Sequence, residues 1–538
     1  MTEKIDVHKI FAEYFKGCET LAYALSSKLS EGNICIDIKE YAGKLPGILE
    51  EQRSAEFWDD GDLKFWDFAG FTDSCCEGKF VSTSPGGFRP FIIYDGRAYL
   101  HRYFRYENSI IKNIERLGGR FHIITGGPGT GKTFSIANRL KEMFHENPDL
   151  KAALAAPTGK AAARMTESIR DYISKNHLEG ESRERLESLK ASTLHRLLGW
   201  ISGSVFFRHN EANLLPFDVI IIDECSMIDG AMMAKLLEAV GNETELFLLG
   251  DKDQLASIEA GSVFGDLCRS NDSRLLKGKV ELKTHNWRFS ENEGIGRLSR
   301  LILNGSINAI NEFGKDKQVI IDTEFRSDYF REYAMSYLEY ICEPDISEAL
   351  RKLNIVRFLC VTREDDNSVA ATNNKICRLL KTEIDRRKKE GTISPGVVFS
   401  PKNGFYHNQP VIITKNDYTL GIFNGDTGII RYEENVPYAW FVTPDAGIRK
   451  IQAGFLNDYE TVFAMTIHKS QGSEFDNVMI IMPEKKAEKL LTRELLYTAV
   501  TRAKKQVIIQ ATGDVIRKCA ENSVTRASGI NQVLTAAE

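Results

Sequence analysis

No apolar run in this 538-residue sequence reaches the ~20 residues that a membrane-spanning helix needs. No membrane partner is expected. The opening residues, MTEKIDVHKIFAEYF, lack both the basic and the apolar region of a signal peptide, which points to a cytoplasmic protein. Ten cysteines are scattered along the chain and only Cys75 and Cys76 are close together. With no C-x-x-C pair, a thiol-rich zinc site or a disulfide framework is not expected. A basic surplus is missing too: net charge is −5 and the isoelectric point is about 6.2. Such a balance does not mark a chain that coats nucleic acid, but a local basic channel serves a protein that must release its strand repeatedly. Internal repeats and low-complexity tracts are also absent.

What is present divides the chain. Residues 1–108 are rich in aromatics, as in EFWDDGDLKFWDFAGF and FRPFIIYDGRAYLHRYFRYE. FIIYDGRAYLHRYF reads as a hairpin turning at Asp95-Gly96. This unit is expected to be a packing module or, given its aromatic density, a docking surface for a partner. From residue 109 short apolar runs alternate with helical stretches: FHIIT, KAALAAPTG, DVIIIDE, ELFLLGD. That alternation predicts an α/β unit over 109–275 with a parallel sheet covered on both faces. FLCVTRE, VMIIMPE and QVIIQAT predict a second such unit over 276–394 and 459–538. The turn-rich stretch 395–458, with Asn403-Gly404 and Asn424-Gly425, reads as a small β-barrel-like insertion. RRKKEG at 386–391 reads as a solvated helix end.

Gly126 to Thr133, GGPGTGKT, matches G-x-x-x-x-G-K-[ST] in full. The strand FHIIT precedes it and the helical FSIANRLKEMF follows. Gly126, Gly127, Gly129 and Gly131, with Pro128 and Thr130 between them, let backbone wrap phosphates closely. Their N–H groups and the next helix N-terminus form an anion cradle. Lys132 then reaches the outer phosphates and Thr133 offers a hydroxyl to Mg²⁺. A nucleoside triphosphate is the expected ligand. In FDVIIIDECSMID, the buried run Val219–Ile222 delivers Asp223 and Glu224 to a strand end. Asp223 is the expected second Mg²⁺ ligand and Glu224 the residue that polarises the attacking water. Gln254, just past ELFLLGD, is placed to sense the terminal phosphate.

These segments resemble, in order, the motifs of the RecD family of superfamily-one DNA helicases. The set continues with APTGKAAARM (156–165), STLHRLLG (192–199), GDKDQLASIEAGSVFGDL (250–267), NWRFS (286–290), GIFNGDTGII (421–430), AMTIHKSQGSEFDNV (464–478) and LLYTAVTRAKK (495–505). The resemblance spans roughly residues 90–505, and RPFIIYDGRAYLHRYFRYE is similar to the end of that family's N-terminal domain. It implies two RecA-like domains with ATP between them, and an ATP-dependent 5′→3′ motor on single-stranded and duplex DNA. It also implies a heterotrimer with RecB-like and RecC-like subunits that repairs double-strand breaks and feeds recombination. A stand-alone RecD-like helicase is the alternative.

By the same resemblance, Arg288 and Arg502 reach the terminal phosphate from the second domain. A guanidinium fork suits the charge that develops there. Thr158, Gly159, Lys160, Thr193, His195, Thr466, His468, Lys469, Ser470 and Gln471 are implied on the DNA side. Asn424 and Asp426 stand at the turn of the insertion that helps to clamp the strand. Two features depart from the wider superfamily. No glutamine lies between Gln52 and Gln254, so the usual adenine-recognising glutamine has no counterpart. No nuclease signature is found, which assigns any cutting of DNA to a partner chain.

Overall fold

The structure, a computed structural model, describes residues 6–41, 79–290, 292–306, 316–394, 397, 399, 401–402, 404–417, 419–443, 447–483, 490–524, 526–530 and 534. The aromatic stretch 56–71, Cys75, Cys76 and Asn403 lie outside these residues.

The N-terminal unit packs helices Val7–Glu13 and Glu19–Ser30 on strands β1 (Cys35–Asp37), β2 (Val81–Ser82), β3 (Phe91–Tyr94) and β4 (Arg97–Leu100), ordered β1-β4-β3-β2. The expected hairpin is β3–β4. Asp95 and Gly96 both have positive φ (49° and 71°), the twist a two-residue turn requires. The hairpin ends earlier than its sequence suggests, because His101 to Phe104 open the helix His101–Leu117 instead.

The first parallel sheet holds β5 (Phe121–Thr125), β6 (Ala152–Ala156), β7 (Ser192–Thr193), β8 (Val219–Ile222), β9 (Glu245–Gly250) and β10 (Val280–Leu282), ordered β10-β5-β9-β8-β6-β7. Alternate residues feed opposite cores. Phe121, Ile123, Ile220, Ile222, Leu246 and Leu248 face one side; Ile124, Val219, Ile221, Phe247 and Leu249 face the other. Continuous apolar strands therefore follow from burial on both faces. β10 pairs with β5, so Val280–Leu282, expected in the second unit, completes the first. Sequence alone could not assign it, because only strand pairing decides ownership of so short a run.

The second parallel sheet is β11 (Val319–Asp322), β12 (Val356–Cys360), β20 (Ala464–Thr466), β21 (Phe475–Ile481) and β22 (Ala503–Gln510), ordered β11-β22-β21-β12-β20. Helix Val369–Lys389 ends in the basic run, where Arg386 and Arg387 pair with Glu383. Between β12 and β20 come the short hairpin β13 (Pro401–Lys402) and β14 (Phe405–Tyr406), then an antiparallel sheet. That sheet is β15 (Gln409–Ile413), β16 (Thr427–Glu433), β17 (Val436–Val442), β18 (Ile448–Gln452) and β19 (Tyr459–Thr461), ordered β18-β17-β16-β15-β19. The insertion is β-rich as expected, but among the described residues β18 and β19 remain edges, so the sheet is open rather than a closed barrel.

The chain's last described segment returns across the molecule. Ile34 N–H donates to Ala527 O at 3.0 Å, Ala527 N–H to Asn33 Oδ1 at 2.8 Å, and Ser528 Oγ to Asp266 Oδ2 at 2.7 Å. Gly529 N–H donates to buried Glu107 at 2.9 Å, while Ile530 and Leu534 enter the core of the first sheet. The segment thus fastens the N-terminal unit to the first parallel sheet. A Cβ at Gly529 would lie 2.1 Å from Tyr99 Oη and 2.8 Å from Glu107 Oε2. Gly529→Ala is expected to destabilise the chain by about 1–3 kcal/mol, as overpacking of a tight site does. Urea titration checks this; an unchanged midpoint would contradict the fastening role.

Candidate nucleotide and nucleic-acid site

Three strands of the first sheet end together, and their ends build one side of a cleft of about 1200 Å³. Ligands sit at this carboxyl edge in open parallel sheets. After β5 the loop turns through Gly129 and Gly131, both at positive φ (83° and 78°), into the helix Lys132–Glu146. Space also demands glycine: a Cβ would come 2.5 Å from Lys283 O at Gly126 and 2.6 Å from Arg288 Cβ at Gly129. Lys132 Nζ donates to Gly126 O, and to Gly127 O at 3.1 Å. Thr130 Oγ1 donates to Gly127 O at 2.8 Å and braces the loop.

Thr133 Oγ1 donates to Asp223 Oδ2 at 3.2 Å, so the two expected Mg²⁺ ligands already meet. Burial and the adjacent Glu224 push the Asp223 carboxyl above the ordinary range, while Lys132 and Thr133 pull it back. Glu224 takes a left-handed conformation (φ 55°, ψ 39°), a strained choice for a non-glycine residue. Such strain is typical where a side chain must be aimed.

A buried polar chain crosses the cleft. Tyr497 Oη and Gln254 Nε2 both donate to Asp251 Oδ2, at 3.0 and 3.1 Å. Arg502 Nη2 donates to Gln254 Oε1 at 2.9 Å. Arg502 is 2% exposed, and its other nitrogens donate to Thr498 O and Ser473 O. Burial raises Asp251 and lowers Arg502 from their ordinary values. Leu255 N–H donates to Thr498 Oγ1, and Gln471 Nε2 to Leu255 O. The segment after β9 is therefore gripped by the second domain.

Arg288 sits differently from expectation. Expected to reach the cleft from the second domain, it follows β10 of the first sheet and is held against the P-loop. Asn286 Nδ2 donates to Pro128 O and Trp287 N–H to Gly129 O, both at 2.9 Å, while Arg288 N–H donates to Asn286 Oδ1. Arg288 Nη2 pairs with Glu474 at 2.7 Å, and Nη1 is buried without a partner among the described residues.

On the other expected face, several hydroxyls are already committed. Thr158, Thr193 and Thr466 accept from Ala161, Arg196 and Lys469 N–H, capping the turns that follow. Ser470, expected at the DNA, is fully buried and donates to Ile467 O at 2.7 Å. His195 packs edge-on to Phe207, and burial lowers both His195 and His468. Lys469 pairs with Glu460. Lys160 Nζ lies 5.6 Å from the Phe475 ring centre. Burial, with Arg357 and Arg164 nearby, brings its ammonium down to about 7. Asn424 is exposed at its turn and Asp426 Oδ2 accepts from Phe423 N–H. Phe423 lies against Gly159, where a Cβ would be 3.1 Å away, so the insertion reaches the first domain.

Family models match on both sides of the cleft: an AAA domain over residues 111–260 and a UvrD-like helicase C-terminal domain over 461–510. The RecBCD enzyme subunit RecD of Mycolicibacterium smegmatis is 35% identical, with 99% of this chain and 97% of that one aligned. This chain belongs to the RecD family. The ATP-dependent RecD2 DNA helicase of Deinococcus radiodurans is 30% identical over 73% of this chain, which spans about half (47%) of that relative. Among solved structures, Bacteroides Pif1 bound to single-stranded DNA aligns with 76% of this chain and 93% of its own. That alignment has 16% identity and a TM-score of 0.36.

The residues of this RecD-family cleft fit a nucleoside triphosphate. The loop is a cradle that a Cβ would fill, and Arg288 Nη1 is an unpaired buried donor among the lining residues. Hydroxyl and carboxylate oxygens at Thr133 and Asp223 suit a hard cation. Among the described residues no group of three or more His, Cys, Asp or Glu is placed to hold a metal ion. Sequence reasoning missed Asp251, Trp287, Tyr497, Arg164 and Glu474. Asp251 had a signal in its position after an apolar strand; the others depend on contacts between distant segments.

Proposed function

We propose that this RecD-family ATP-dependent DNA helicase is a 5′→3′ single-strand translocase, the motor subunit of a cytoplasmic heterotrimer with RecB-like and RecC-like chains. The observation that carries the motor reading is the buried chain Tyr497–Asp251–Gln254–Arg502, which joins the two parallel-sheet domains at the phosphate end of the cleft. A change at the phosphates must be felt by both domains, because one hydrogen-bonded line serves both.

In this reading Lys132 and the loop N–H groups hold the phosphates. Thr133 and Asp223 hold Mg²⁺, which neutralises phosphate charge when bound. Glu224 accepts the proton of the attacking water. Arg288 and Arg502 meet the charge that develops on the transferred phosphoryl group. Trp287, 79% exposed beside Gly131, offers a flat face to the base, which suits a chain without the upstream glutamine. Thr158, Lys160, Thr193, His195, Thr466, His468 and Asn424 line the strand's path, where hydroxyls, an amide and a lysine suit backbone contacts rather than base readout. Ser470 acts as a buried brace.

The alignment along nearly the whole RecD subunit favours the heterotrimer over the stand-alone reading, since the longer Deinococcus relative matches only in part. Among the described residues no helix is long and apolar enough to cross a membrane. The test is unwinding of duplexes with one single-stranded tail, by the chain alone and with its partner chains. Displacement from 5′-tailed but not 3′-tailed substrate is expected. Preference for the 3′ tail would overturn the polarity.

A further inference from the structure

Glu474, at the edge of β21, is a carboxylate surrounded by cations from different parts of the fold. Its side chain is 12% exposed. Arg164 Nη2 lies 2.5 Å from Oε2, Arg288 Nη2 lies 2.7 Å from Oε1, and Lys504 Nζ lies 3.6 Å from Oε2. Arg164 Nη1 also donates to Gly472 O at 3.1 Å. Burial alone would raise this carboxyl, but Arg164, Arg288 and Lys504 outweigh it and hold it at about 2, so it stays charged.

Each partner brings a different element. Arg164 comes from helix Gly159–Lys175, which starts at Thr158 and Lys160. Arg288 is tied to the P-loop through Asn286 and Trp287. Lys504 lies on β22, two residues from Arg502. With one carboxylate oxygen on each guanidinium, Arg288 is fixed through Nη2, and its Nη1 stays buried and unpaired among the cleft residues. Removing the negative charge would leave three cations facing one another in a partly desolvated space, which would scatter their positions.

We propose that Glu474 is a positioning residue for ATP hydrolysis. It aims Arg288 at the terminal phosphate and, through Arg164, links that aim to the helix that begins on the DNA face. This rests on the helicase reading above. The test is steady-state ATP hydrolysis by the whole chain with saturating single-stranded DNA, for wild type, Glu474→Gln, Glu474→Asp, Arg288→Ala and the double variant Glu474→Gln/Arg288→Ala.

Glu474→Gln is expected to lower kcat by ~10-fold or more with KM for ATP changed by less than ~3-fold, the pattern of an interaction made in the transition state. Glu474→Asp should restore most of the rate. In the Arg288→Ala background, Glu474→Gln should cost less than ~3-fold, because it acts through that arginine. An indifferent Glu474→Gln in an active wild type overturns this inference alone. So does a loss that multiplies undiminished in the Arg288→Ala background, or a loss that Asp does not relieve and that comes with a lowered Tm. A wild type with no DNA-stimulated turnover, both alone and with its partner chains, overturns the helicase reading and this inference with it.

Discussion

Lys132→Ala is expected to reduce ATP turnover to background while leaving the fold in place. The ammonium is the cation of the P-loop, held by Gly126 O and Gly127 O beside the mouth of the helix. It also moderates the raised carboxyls of Asp223 and Asp251. Without it the outer phosphates lose their main counter-charge. The helix Lys132–Glu146 keeps its apolar anchors Ile136, Ala137, Leu140 and Phe144, so the variant should melt as wild type does. Phosphate release with single-stranded DNA present measures the effect. Wild-type turnover in this variant would contradict the assignment of the nucleotide site.

Arg502→Ala is expected to leave nucleotide binding within ~3-fold but to slow hydrolysis by ~10³-fold or more, the usual size for an arginine that meets phosphoryl-transfer charge. The side chain reaches the cleft from the second domain, and it orders Gln254 as well. Its loss therefore removes a cation and frees the amide that ties Asp251 to the far wall. Arg502→Lys is the informative companion. It retains charge but loses the fork that serves Gln254, Thr498 and Ser473 together, so most of the defect should persist. Single-turnover kinetics separate this from binding; an unchanged chemical rate would rule out the role.

The parts legible in the sequence were those encoded by neighbours. GGPGTGKT sits between its own strand and helix, so eight consecutive residues declare loop, cradle and cation together. VIIID declares a buried strand with a carboxylate at its end. Two α/β units could be read for the same reason, since apolar strands announce burial on both faces. What stayed hidden depends on distant contacts. β10 belongs to the first sheet only because it pairs with β5, and Arg288 belongs to the P-loop wall only because Asn286 and Trp287 anchor there. Motif membership also leaves side-chain direction open: Ser470 stands among the expected DNA contacts, and its hydroxyl donates to Ile467 O. The insertion's turns were legible, but whether its edge strands close into a barrel is a question of pairing between β18 and β19 that no local pattern answers.

The central claim is that the nucleotide cleft and a single-strand track are coupled within this chain. The measurement that tests it most directly is steady-state ATP hydrolysis by the purified chain, alone and in its native complex, with and without a single-stranded oligonucleotide. The account predicts a rate that rises strongly with the oligonucleotide, and that falls to background in Lys132→Ala under the same conditions. Turnover indifferent to the oligonucleotide in both the isolated chain and the complex would contradict it.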